Sequence, residues 1–415
     1  MRKRFFIFAI LVMICSITIG QTKYSQELVN KAEAGNAEAQ LNLGVCYENG
    51  YGVSRDHVKA VYWYTMAAVQ GNPLAQNNLG LCYKNGDGVS PDYEKAVYWY
   101  TKAAEQGDPL AQSNLGGCYY CGNGVSQDHA KAVYWFNKAA EQGNTIAQYN
   151  LGLCYKNGDG VSQDYTKAVF WFNKATEQGH TGAQTELGLC YEHGYGVNRD
   201  YEKAVYLYTK AAELGHAGAQ NNLGLCYRNG DGVSQDYEKA IYWLNKAVEQ
   251  GLTIAQSNLG ACYYDIQDYE KAVYWFNKAA EQGNTIAQYG LGLCYQNGNG
   301  VSKNVDNAIY WFEKAAASNY DIAQIHLASI YYESPDIAGN YVKAVKYLTM
   351  ARESNDKTIS GSACNLLSKC YRFGRGVPQD VSKADELQTE AEAKGSGEDI
   401  GELMKKLKEE YSIIK

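Results

Sequence analysis

Proline is scarce in this chain, at five of 415 residues. With apolar types at 46%, that composition does not describe a disordered or linker-like polypeptide. Basic residues are outnumbered, 38 against 45, for a net charge of −7. No basic block interrupts the acidic balance, so a nucleic acid is a poor candidate and is not the expected partner. Beyond the first twenty residues, no stretch is apolar enough to cross a bilayer. Neither His-Glu-x-x-His nor Gly-x-Ser-x-Gly occurs. The six histidines have no ligand spacing: His57 and His129 share a column usually held by Tyr, and the other four are scattered. The one Ser-x-x-Lys, Ser354–Lys357, falls in an irregular stretch without the Ser-Asp-Asn or Lys-Thr-Gly that would accompany it. No cofactor or metal is expected.

What is present starts with a leader. Arg2, Lys3 and Arg4 precede the apolar run Phe5–Ile14, and Thr18 and Gly20 are small residues before Gln21. This reads as an export signal over 1–20. Ile14 is too bulky for lipid modification at Cys15. The alternative is an uncleaved anchor, for which the run is short. The expected location is therefore periplasmic or secreted, with any membrane contact limited to the leader.

Cysteines then fall at 46, 82, 118, 154, 190, 226 and 262, each thirty-six residues after the last. Cys294 follows after thirty-two, where "ACYYDIQDYEKA" lacks four loop residues. Cys370 follows an expansion of four around 352–368. Leu79-Gly80, Gly88-Val89 and Trp99 recur in the same step, although Leu207 replaces one Trp. A fixed period overrides the division into domains that length alone suggests. The reading is eight regular units over 37–320 and two degenerate ones over 321–394. A remnant cap helix lies at 21–36 and a capping helix at 395–415.

Each unit reads as two helices. Asn72-Pro73 and Asp108-Pro109 place a cap and a first-turn proline at the start of helix A, and Ser90-Pro91 does so for helix B. In the second unit, helix A spans roughly 73–84 and helix B roughly 91–106. Gly86 and Gly88 fit the turn between them, where a left-handed backbone or a close approach needs no side chain. "NGDGVS" is therefore a helix end and a turn. A phosphate loop would need a preceding strand and a following Lys, and Val89 interrupts a calcium pattern. Asp92 and Glu94 read as helix-start charges. Ala75, Leu79, Cys82 and Tyr83 share one face of helix A, and Gly80 admits a close neighbour. Ala96, Trp99, Tyr100, Ala103 and Ala104 are their counterparts in helix B. One hairpin cannot bury these faces alone, whereas stacked copies can. The fold class expected is all-α: a right-handed superhelical solenoid of about ten two-helix repeats with period 36.

The columns A-x-x-x-L-G-x-x-Y-x-x-G-x-G-V and D-x-x-K-A-x-x-W-Y-x-x-A-A-x-x-G run here from Ala75 to Gly107. They resemble the Sel-one-like repeat family, over nearly all of 37–394. The resemblance implies a relative of tetratricopeptide solenoids that acts as an adaptor holding other proteins together. Some exported members carry a beta-lactamase label, which keeps a hydrolase as a remote alternative. Disulfide-rich members place two cysteines per repeat, in helix B and the next helix A. Most units here have one, and by resemblance it stands for an aliphatic core residue. Packed helices lie about 8–10 Å apart, beyond the roughly 7 Å Cα limit of a bridge. The ladder then reads as buried thiols, with a cross-link among Cys121, Cys364 and Cys370 left open. Cys118-Tyr-Tyr-Cys121 sits near a helix C-terminus, the wrong end for a low-pKa redox pair.

Related solenoids line a concave groove with the face of helix A opposite the packed one. Asn42, Asn78, Asn114, Asn150, Asn222 and Asn258 form one column there, which Glu186 and Gly290 break. Such a ladder suits the backbone of an extended peptide; it also suits bonding between repeats. Beside it runs a variable column that includes Tyr149 and Tyr289, and a second follows the repeated Tyr, from Glu48 and Lys84 to Gln296. The expected function is a non-enzymatic scaffold for a protein or extended peptide. An envelope glycan is the alternative partner, if aromatic rings line the groove.

Overall fold

The computed structural model describes residues 23–333 and 340–395. The expected leader at 1–20 and the capping helix expected over 395–415 lie outside these, except for Gly395. Among the described residues the secondary structure is twenty-one α-helices with no strand. A short helix, Gln26–Glu33, comes first, and paired helices follow. Pairs one and two are Ala37–Asn49 with His57–Val69, and Pro73–Asn85 with Tyr93–Glu105. The all-α repeat expected from the spacing is what forms, and within each of two compact units successive helices pack on one another. The chain divides into two compact units, Met1–Arg199 and Asp200–Lys415. Each is an α solenoid of stacked hairpins.

Helix A of the second repeat begins as its residues dictate. Asn72 accepts from the Ala75 N–H at 2.9 Å, and Pro73 occupies the first turn. Helix A ends at Gly86, whose φ of +82° is left-handed, and Gly86 N–H donates to the Cys82 carbonyl. Helix B departs from the expected start. Its cap is Asp92, which accepts from the Lys95 N–H at 3.0 Å, and the helix runs Tyr93–Glu105. Ser90 and Pro91 belong to the turn, because the extended backbone at Asp92 aims its carboxylate at the free N–H groups. A Cβ on Gly86 would lie 2.8 Å from Pro91 Cγ, so this proline closes the turn.

The Leu-Gly pair has a direct packing reason. A Cβ on Gly80 would stand 2.6 Å from Cε1 of Tyr100, a fully buried ring on helix B of the same repeat. Gly44 has the same relation to Tyr64, and Gly152 to Phe172. The second turn glycine works between repeats. Gly88 has φ +73°, and a Cβ there would strike the backbone carbonyl of His57 in the preceding repeat. Loop glycines thus seat one hairpin on the last.

A glutamine clamp, unforeseen in the sequence, repeats through both units. Gln76 Nε2 donates to the Ala68 carbonyl at 3.0 Å, and Gln76 Oε1 accepts from Gln106 Nε2 at 2.8 Å. It ties the preceding B helix to the end of its own. Gln40 with Gln70, Gln112 with Gln142, Gln148 with Gln178 and Gln220 with Gln250 repeat the bond. Position 318 is Ser where the partner of Gln288 should be, and Gln288 Oε1 is buried with no hydrogen-bond partner.

The irregular repeats follow the sequence spacing. The shortened loop after Thr253–Asp265 turns at Gln267, a non-glycine residue with φ +64°. The four-residue expansion is absorbed as helix: Lys357–Phe373 has 17 residues where most helices have 13.

Candidate functional site

The thiol ladder lies inside the seam. Cys46, Cys82, Cys118, Cys154, Cys190, Cys226, Cys262, Cys294, Cys364 and Cys370 are buried, and Cys121 is exposed. Burial pushes the thiols of Cys82 and Cys154 up to about 12, and those of Cys118 and Cys190 up to about 11. A buried, protonated thiol is a poor nucleophile and a poor metal ligand. Cys118 and Cys121 sit at the C-terminal end of Pro109–Cys121, where the helix dipole opposes a thiolate.

Two histidines that looked scattered share a task. His180 and His216 occupy the helix A cap position held in most other repeats by Asn or Asp. Each accepts a backbone N–H at Nδ1, from Ala183 at 3.0 Å and from Ala219 at 3.2 Å. His326 is buried against Phe312, with the rings stacked at 4.5 Å.

The expected groove residues are placed differently from the expectation. Asn42, Asn78, Asn114 and Asn222 are half-buried, whereas Asn150 and Asn258 are buried. The neighbouring variable column is mostly enclosed. Leu41, Asn77, Ser113, Thr185, Asn221, Ser257 and Tyr289 are buried, and Tyr149 is half-buried. The reason is that the two columns meet each other across successive repeats. Asn114 Nδ2 donates to Asn77 Oδ1 at 2.9 Å, and Asn258 Nδ2 donates to Asn221 Oδ1 at 2.8 Å. The Tyr289 hydroxyl meets His326 Nδ1 at 3.2 Å in the same step of thirty-seven. Tyr149 stacks on His180 at 4.5 Å. Asn150, Asn258 and Tyr289, expected to face a partner, are buried; Asn258 bonds back to the preceding A helix, and Tyr289 bonds forward to the following one. The column after the repeated Tyr also reaches forward. Lys156 pairs with Glu186 at 2.5 Å, Arg228 with Asp265 at 2.7 Å, and Tyr120 donates to Asp159 Oδ2 at 2.7 Å.

The surface that does face solvent at every step is on helix B. In the first unit it carries Tyr62, Tyr98, Tyr134 and Phe170; in the second, Tyr206, Tyr242, Tyr274 and Tyr310. All eight rings are between 50 and 56% exposed. Each ring except Tyr206 packs edge-on against the half-buried Trp that follows it, at centroid distances of 4.9 to 5.1 Å. After Tyr206 the next residue is the buried Leu207. Lysines one turn on lie over several rings, Lys138 over Tyr134 at 4.8 Å and Lys210 over Tyr206 at 4.5 Å. Sequence reasoning missed this band, although a signal existed. Ala96, Tyr100 and Ala103 fix the buried face, and Tyr98 lies on the opposite side of a 3.6-residue helix.

No group of His, Cys, Asp and Glu among the described residues could hold a metal ion. No helix among them is long and apolar enough to cross a membrane.

The Sel1 repeat model matches ten successive stretches, 37–72, 73–108, 109–144, 145–180, 181–216, 217–252, 253–284, 285–320, 321–356 and 361–384. The chain belongs to the Sel1 repeat family. Among solved structures it is similar to c5321, a protective antigen of uropathogenic Escherichia coli strains displaying an SLR fold. That likeness has 39% identity over 88% of this chain and 78% of the other, with a TM-score of 0.68. A Sel1 repeat protein from Oxalobacter formigenes is 35% identical over 74% of this chain and 89% of the other, with a TM-score of 0.52. No curated protein matches the chain. Sel1 repeat proteins are generally non-enzymatic scaffolds that mediate protein–protein interaction.

Proposed function

We propose that this Sel1 repeat chain is a non-enzymatic scaffold that binds a protein or an extended peptide in the cell envelope or outside the cell. The observation that supports this most is the aromatic band of the B helices. A half-exposed Tyr or Phe recurs at one register in every regular repeat. Tyr offers large contact area at low entropic cost and is enriched where proteins meet. Asn42, Asn78, Asn114 and Asn222, half-buried on the A helices, are the remaining amide candidates from the expected groove. The leader at 1–20 supports an exported setting, and the description of the E. coli relative as a protective antigen agrees with it.

The same band favours one second reading, a glycan partner, because exposed rings beside Trp also suit sugar faces. One titration separates the two. Trp emission is followed while a library of extended peptides, or soluble envelope oligosaccharides, is added to the chain. The half-buried Trp residues touch the exposed rings, so a ligand on the band shifts their emission. The scaffold reading expects a saturable shift with peptides that weakens at least tenfold in Tyr98→Ala/Tyr134→Ala. Saturation by oligosaccharides alone would favour the glycan. An unchanged response in the double variant would remove the band from the site.

A further inference from the structure

We propose that the outer face of the first B helix, His57–Val69, is where two copies of this chain pair. The face breaks the repeat pattern. Val58 is 67% exposed, Tyr62 56%, Met66 38% and Val69 65%. Their spacing of four, four and three puts them on one stripe along the whole helix. In the second repeat the same positions hold Glu94, Tyr98, Lys102 and Glu105; in the third, Ala130, Tyr134, Lys138 and Glu141; in the fourth, Thr166, Phe170, Lys174 and Glu177. Only the aromatic is common to all four. Both flanking charges of the C-terminal half, which solvate this face elsewhere, have become Met66 and Val69.

The stripe is also self-complementary. A twofold contact requires one patch to match itself read backwards. Laid antiparallel, Val58 of one copy meets Val69 of the other, and Tyr62 meets Met66. Both ends of the stripe are Val and its middle holds the two long side chains, so no charge on the stripe opposes another. The one lysine of the helix, Lys59, lies beside the stripe, and its cap partner Asp56 is 3.5 Å away. Size sets the strength. A stable interface buries about 800 Å² per partner, and a single thirteen-residue stripe covers roughly half of that, which places this contact in the weak, concentration-dependent class. The pairing does not rest on the proposed function, although it covers Tyr62, the first ring of the aromatic band, and leaves the other seven rings free.

The test is sedimentation equilibrium of the native chain over a wide concentration range, beside Met66→Lys/Val69→Glu. That variant installs the residues found at 102 and 105, which the second repeat already folds with, and its helix content is checked by circular dichroism. The expected result is a monomer–dimer equilibrium whose association constant falls at least tenfold in the variant. A native chain that stays monomeric at every concentration overturns the proposal, whatever other partner covers the stripe. A dimer that survives undiminished in the variant also overturns it, since another face then makes the contact.

Discussion

At the scale of single residues, glycine and glutamine do most to set the packing. Gly80 faces the Tyr100 ring so closely that a methyl has no room. Overpacking of a buried site costs about 1–3 kcal/mol, so Gly80→Ala should destabilise by that amount, read as a lower denaturant midpoint. Gln288 gives the opposite case. Its buried Oε1 lacks the donor that a Gln at 318 would provide. Ser318→Gln should therefore stabilise the second unit by about 1 kcal/mol, the ordinary worth of a completed buried hydrogen bond. Thermal unfolding measures it, and a neutral or negative shift would show that the clamp adds nothing there. Neither residue role came from propensity. The glycine could be read because it recurs beside Leu. The glutamine went unread because its partner is thirty residues away.

At the scale of helices, the starts of the B helices carry a shared acid sensitivity. Asp56, Asp92, Asp128, Asp164 and Asp236 each accept a backbone N–H three residues on, and this holds their carboxyls below the ordinary value. A lowered folded pKa means the unfolded chain binds protons first. The stabilisation is fully present above the unfolded value near pH ~3.9 and is lost as pH falls through the folded values. The unfolding temperature should therefore stay level near neutrality and drop below pH ~4. Asp92→Asn keeps a cap, as Asn304 does for Val305–Ala317, and should lessen the drop. An acid profile identical to the parent's would contradict the assignment.

The bounds of helix A and the turns were legible at this scale because Asn, Asp, Pro and Gly act locally, whereas the start of helix B lay at Asp92, past the Ser90-Pro91 expected for it. Which face of helix A meets the next repeat was not legible. Periodicity within one helix distinguishes its faces and leaves open what covers them. The column of Asn114 and Asn258 thus suited both a groove and bonding between repeats, and these two residues bond across repeats. The Tyr98 column was passed over because aromatic residues count as core until a neighbouring column shows that they point away.

At the scale of the whole molecule, repetition is both the architecture and the limit on function. Equal hairpins bury the same thiols, alanines and rings at each step, and they leave equal surfaces outside. The sequence made the period and the two-helix unit plain, since ten copies average out any single misleading residue. It made the recognition surface less plain, since a partner is not part of the pattern. Departures from equality are therefore the informative places, as in the stripe from Val58 to Val69.

The account depends on the helix A thiols being sealed between repeats. Thiol labelling of the folded native chain, mapped residue by residue by mass spectrometry, tests this most directly. Cys121 should label promptly, while Cys46, Cys82, Cys118, Cys154, Cys190, Cys226, Cys262 and Cys294 should label only after denaturation. Prompt labelling of that ladder in the folded chain would contradict the sealed seam, and so would failure to label it in denaturant without reductant.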